Sequence, residues 1–122
     1  MFIDLTEEQA EQIGGGLYLA IDKVQALNTG ADFGFWADDD TYLKVDGTKK
    51  FGPKSFKTGT TRNVNVGQEV GSSGSVQLFD DDLFTRDEYL GGFTVSSSTQ
   101  GKQVSRKVSG SGSTYEVFYR VF

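Results

Sequence analysis

From residue 17 onward, apolar and polar positions alternate in short runs separated by turn residues. An apolar run opens at 17–21 (LYLAI) and continues through Val24 and Leu27. Residues 41–45 (TYLKV) alternate and stop at Asp46-Gly47, a pair suited to a two-residue hairpin turn. Residues 49–51 form the short return strand, and 60–66 (TTRNVNV) and 75–79 (SVQLF) follow. Residues 90–95 and 103–108 come next, the latter with Val104 and Val108 on one face. The last run, 115–122 (YEVFYRVF), is the strongest. Its aromatic and β-branched residues occupy both faces, which predicts that both faces are covered. Gly/Ser stretches at 71–74 and 109–113 read as loops. About eight strands at this spacing predict an all-β chain, an antiparallel eight-stranded β-sandwich.

The first sixteen residues follow another pattern. Thr6 with Gln9 three places on is a capping-box pair. Leu5, Gln9, Gln12 and Ile13 then trace a short helix that Gly14-Gly15-Gly16 ends. The segment lacks the basic start and apolar core of a secretory signal peptide. It resembles the double-glycine leader of bacteriocin-type peptides, with Gly15-Gly16 as the pair and Leu5, Ala10 and Ile13 in the apolar places. Ala10 departs from the bulkier residue common there. The resemblance implies a short leader helix over 1–16 and a peptidase-containing ABC transporter as partner. It also implies cleavage after Gly16, export, and a mature domain of 17–122. A glycine pair suits a protease cleft too narrow for side chains. The alternative is a frayed helix followed by a linker.

Composition narrows the chemistry. The chain of 122 residues has no cysteine and no histidine, which excludes a disulfide framework, a thiol nucleophile, a Ser-His-Asp triad and the usual zinc sets. The formal net charge is -5, and the distribution says more than the total. Asp4, Glu7, Glu8 and Glu11 stand without a base in the leader-like segment, so 13 acids face 12 bases in the remainder. Nine of those 13 lie in 32–40 and 80–88. Charge this concentrated is not a general solubility device, and no basic footprint for nucleic acid is present.

The two acidic clusters carry the candidate chemistry. Asp38, Asp39 and Asp40 precede one strand; Asp80, Asp81 and Asp82 end another, with Asp87 and Glu88 just beyond. Crowded carboxylates repel unless a cation neutralises them, and Ca²⁺ takes six to eight oxygen ligands of this kind. Asp80 and Asp82 share a face of an extended chain. The segment 76–94 (VQLFDDDLFTRDEYLGGFT) resembles the third calcium-binding loop of C2 domains: strand, D-x-D, about four or five residues, then D-x-φ-G. Asp80, Asp82 and Glu88 match the usual ligand places, with Asp87 a substitute or second-site ligand. The segment 37–45 (ADDDTYLKV) resembles the first C2 loop, where an aspartate precedes a Pro-Tyr pair. Asp40 holds that place, Thr41 replaces the proline, Tyr42 matches, and Asp38 and Asp39 are further candidates. Gly34 stands where many C2 domains have another aspartate, which favours one firmly held ion over two. An EF-hand starting at Asp80 fails, because Thr85 and Gly91 fall where glycine and glutamate are needed. The competing reading is that the acids are solvated turn residues.

The resemblance implies an exported, non-catalytic Ca²⁺-binding C2-like module. Phe33, Phe35 and Trp36 before the first cluster, with Leu83 and Phe84 inside the second, match the apolar loop tips that enter an anionic membrane or meet a partner protein. They equally suit capping of the sandwich end. Lys44, Lys49, Lys50, Lys54, Lys57 and Arg62 form a basic stretch, for an anionic surface or as a solvated strand face. The alternative function is a secreted bacteriocin-like effector that uses those tips. Carboxylate pairs can also serve an enzyme, but no base, nucleophile or pocket accompanies these, and no catalysis is expected.

Overall fold

A computed structural model describes residues 16–30, 38–82 and 86–122. The leader-like segment with Gly15, the tip residues Phe33, Phe35 and Trp36, and Leu83 with Phe84 lie outside the described residues.

Eight strands form: β1 (Leu17–Asn28), β2 (Asp39–Val45), β3 (Thr48–Phe56), β4 (Thr61–Gly71), β5 (Gly74–Asp80), β6 (Glu88–Val95), β7 (Val104–Gly110) and β8 (Ser113–Val121). They build two four-stranded sheets, ordered β4-β1-β8-β7 and β3-β2-β5-β6. All pairings are antiparallel. This is the predicted eight-stranded sandwich, since each sheet has one apolar face to bury and the other sheet covers it. Leu19, Ile21, Val24, Val117 and Val121 meet Leu43, Val45, Val76, Leu78 and Leu90 in the core. Phe56 and Tyr115, both fully buried, meet edge to face with ring centroids 5.5 Å apart.

Three expectations change. The return strand β3 is longer than three residues and carries the chain's one proline, Pro53, after a cis peptide bond. Proline is tolerated there because β3 is an edge strand with one ladder to satisfy. The Gly/Ser stretches are strand ends with tight turns. Asp46-Gly47 and Ser111-Gly112 both have positive φ at two successive residues, which matches the right-handed twist of the hairpins they close. Gly110 is small for a packing reason, since a Cβ there would meet the Tyr89 carbonyl oxygen at 2.6 Å. This contact closes the edge between β6 and β7.

The outer face of β8 is the third. Its inward positions are buried and its outward ones half-buried. No second layer lies over them among the described residues. Neighbouring long side chains shade them instead, with the Lys23 ammonium 4.7 Å above the Phe118 ring and the Arg120 guanidinium 5.6 Å from that of Phe122. Arg120 also forks onto Asp22 on β1 through Nε and Nη2 at 2.9–3.1 Å.

The two ends of the sandwich differ. At one end the Tyr18 and Phe122 backbones exchange both hydrogen bonds, at 3.1 and 2.9 Å. At the other, Asn28 reaches the Gly112 carbonyl, the Thr29 N–H donates to Thr58 Oγ1, and the Gly30 N–H donates to Ser113 Oγ. Both acidic clusters lie at this second end, because β2 begins at Asp39 and β5 ends at Asp80.

Candidate metal centre at the acidic end

β2 and β5 run antiparallel with Thr41 opposite Asp80, and β5 and β6 pair Asp80 with Glu88. The register therefore sets the start of the first cluster beside both halves of the second. The Asp40 N–H donates to Asp80 Oδ1 at 2.8 Å, and the Asp81 N–H donates to the Asp40 carbonyl at 2.7 Å.

Asp80 carries the strongest electrostatic signature. Burial, followed by the negative charges of Asp39, Asp82 and Glu88, pushes its carboxyl up to about 6. The hydrogen bond from Asp40 opposes the rise without cancelling it. The carboxyl thus stands in negative potential that no cation among the described residues offsets, which is the condition that a bound ion relieves.

The other candidates divide by strand alternation. Asp38 and Asp40 are exposed, and Ser55 Oγ lies 3.5 Å from Asp38 Oδ2. Asp39 faces inward with Thr41, Leu43 and Val45 and is only 4% exposed. Ser113 Oγ and the Tyr115 hydroxyl both donate to Asp39 Oδ2 at 2.7 Å. Tyr115 has one hydroxyl proton, so the 2.7 Å contact with Thr41 Oγ1 has Thr41 as donor. Burial first, and the Asp39 carboxylate after it, keeps the Tyr115 hydroxyl far above the usual tyrosine range.

Asp87 is turned the other way. Its Oδ2 accepts from the Tyr42 hydroxyl at 2.5 Å and its Oδ1 from the Asp82 N–H at 3.1 Å. Tyr42 lies on the outer face of its sheet, stacked on Phe79 at 5.4 Å with the Lys49 ammonium 4.3 Å above its ring. The Tyr42 hydrogen bond, then that from Asp82, with Lys49 and Lys44 adding to both, holds the Asp87 carboxyl below its usual range. Burial raises Tyr42 to about 12, assisted by Asp87. Asp87 thus ties the β5–β6 connection to the sheet face.

The structure brings Asp82 and Glu88 close enough to Asp80 for their charges to act on it, and hydrogen-bonds Asp40 to Asp80. It turns Asp39 inward and Asp87 outward. Among the described residues no three carboxylates close into a ready ligand set. The donors are nonetheless of the right chemistry for a hard cation, all oxygen and mostly carboxylate. Ser113 and Tyr115, which with Thr41 order this end from below, were not singled out from the sequence, and Thr41 was noted only in the place of a proline. The signal was the alternation of β2, which runs inward through Val45, Leu43 and Thr41 to Asp39.

The fold is that of a C2-like β-sandwich. The chain is similar to a structure described as a C2 domain, at 16% identity with a TM-score of 0.55, over 86% of this chain and 96% of that one. It is similar to a C2 domain of plant Extended Synaptotagmin 1, at 11% identity and a TM-score of 0.52, over 87% and 93%. A third likeness is to a portion of Extended-Synaptotagmin 2 that joins an SMP domain to C2 domains, at 16% identity and a TM-score of 0.54, over 96% of this chain and 30% of that one. No family model and no curated protein sequence matches the chain.

Proposed function

We propose that this protein is an exported, non-catalytic Ca²⁺-binding C2-like module. The observation that carries the reading is Asp80, at the loop end of a C2-like sandwich. Burial and neighbouring acids raise its carboxyl to about 6, and no cation among the described residues offsets them. Asp80, Asp82, Glu88 and Asp40 would hold the ion, with Asp38 at the rim. Asp87 would have to leave Tyr42 to join them. The ion supplies positive charge and draws the two acidic loops together. Affinity on the order of 10⁻⁴–10⁻³ M, usual for extracellular calcium modules, is expected. The leader-like residues 1–16 and a peptidase-containing ABC transporter would deliver the domain to such surroundings. Protein recovered from the medium is then expected to begin at Leu17, and recovery with Met1 intact would remove that part of the reading.

Calorimetric titration of the chain with Ca²⁺ is the direct test. Saturable heat is expected, with a rise in melting temperature, and both vanish in Asp80→Asn with Asp82→Asn. A wild-type chain with neither response would falsify the calcium reading. An anionic membrane is the partner this reading favours. The tips Phe33, Phe35, Trp36, Leu83 and Phe84 would enter it while the ion bridges carboxylates to headgroups. Co-sedimentation with phosphatidylserine vesicles in Ca²⁺ but not in chelator is expected. Equal recovery under both conditions argues against this partner.

A further inference from the structure

The bond between Gly16 and Leu17 is the last one before β1, and the chain on its far side is fixed at once. Leu17 stands opposite Gly71 on β4, and Leu19 stands between Gln68 on β4 and Val121 on β8. The Tyr18 N–H donates to the Phe122 carbonyl, and the Phe122 N–H donates to that of Tyr18. Leu17 packs against the core and Leu19 is fully buried. β1 is an interior strand with β4 on one side and β8 on the other, so it offers no free edge. The near side of the bond is confined as well, since a Cβ on Gly16 would lie 2.8 Å from the Gly71 Cα.

Recognition of an extended segment draws on backbone hydrogen bonds along its edge and on pockets for its side chains. Residues 17–19 have both resources committed inside the fold. A cleft that selects a glycine pair must close tightly around Gly16, and Gly71 occupies that space on one side. A bond held in this way is cut only from an opened state, at a rate that follows the population of that state.

We propose that the Gly16–Leu17 bond is open to scission only before β1 pairs with β4 and β8, so that removal of residues 1–16 precedes folding and a chain that folds first retains them. This rests on the leader reading above and does not involve calcium. The step is hydrolysis. The thiolate of the transporter's cysteine peptidase attacks the Gly16 carbonyl carbon, the C–N bond breaks as a proton passes to the Leu17 nitrogen, and water then releases Gly16 as a carboxylate.

The test compares three full-length chains with the cysteine-peptidase domain of a double-glycine ABC transporter, and mass spectrometry follows the loss of residues 1–16. The first is wild type. The second carries an extra copy of residues 17–20 after Gly16, so that the cleft meets the same side chains while the cut lies clear of the sheet. The third is Phe56→Ala, which loosens the fold far from the cut. Folded wild type is expected to be cut roughly a hundredfold more slowly than the insertion chain, and Phe56→Ala should recover much of the difference. Equal rates for wild type and the insertion chain would overturn this inference alone. Resistance that persists in an unfolded Phe56→Ala chain would do the same, because the fold would not be its source. If no chain is cut, the leader reading fails and this inference with it.

Discussion

In calcium-free buffer at pH 7, Asp80→Asn is expected to melt higher than the parent chain, although it removes a proposed ligand. The folded-state value of Asp80 is about 6 against an ordinary 3.8. Between those values the folded chain keeps a proton that the unfolded chain has released. Stability from this group is therefore greatest below about pH 4, falls as pH rises to about 6, and stays low above it. At about 1.4 kcal/mol per pH unit the full effect is at most about 3 kcal/mol. Partial solvation of the carboxyl brings the expected gain to about 1–2 kcal/mol, or roughly 4–8 °C for a domain of this size. The parent chain should show about two-thirds of that gain when acidified from pH 7 to 4.5, and saturating Ca²⁺ should abolish it by lowering the Asp80 value. Differential scanning calorimetry at those two pH values, with and without Ca²⁺, checks all three points. A variant less stable than the parent at pH 7 would show that Asp80 is not held in unfavourable potential.

Phe56→Ala is expected to have the largest effect on stability, a loss of about 3–5 kcal/mol in urea unfolding. Phe56 is fully buried at the end of β3, opposite Asp39, with its ring set edge-on to both Phe51 and Tyr115. Its removal leaves a cavity beside the tyrosine that holds Asp39, so loosening should concentrate at the acidic end. Hydrogen exchange at Asp39, Thr41 and Tyr115 is expected to accelerate more than at Tyr18 and Leu19. A loss below about 1.5 kcal/mol would mean that the sheets close over the gap.

Much of this architecture was legible in the chain. Alternation in 41–45, the Asp46-Gly47 turn and the apolar run from Leu17 placed the strands, because one face of each sheet must be buried and the period of side chains in a strand is two. Strand ends were less legible. Ser109, Gly110 and Ser113 look like loop residues until their surroundings are known: Gly110 is small because β6 passes close by, and Ser113 is polar because Asp39 needs a donor. β8 looked covered on both sides because Phe118 and Phe122 are apolar, yet lysine and arginine stems shade them. The acidic clusters were visible as charge, but their division was not. Three consecutive aspartates read as one group of ligands, whereas alternation sends Asp39 to the interior and leaves Asp38 and Asp40 in water. Asp87 and Glu88 separate likewise, since nothing local indicates that Tyr42, more than forty residues away, takes Asp87.

The pairing of Tyr18 with Phe122 has a mechanical consequence. Both ends of the domain leave from one pole, roughly 35 Å by strand length from the acids at the other. Tension applied through those ends would open β1 from β8 one bond pair at a time, an unzipping that yields at lower force than sliding the two strands past each other. Any tether at either end would grip the pole away from the acids and leave that pole free to meet a surface.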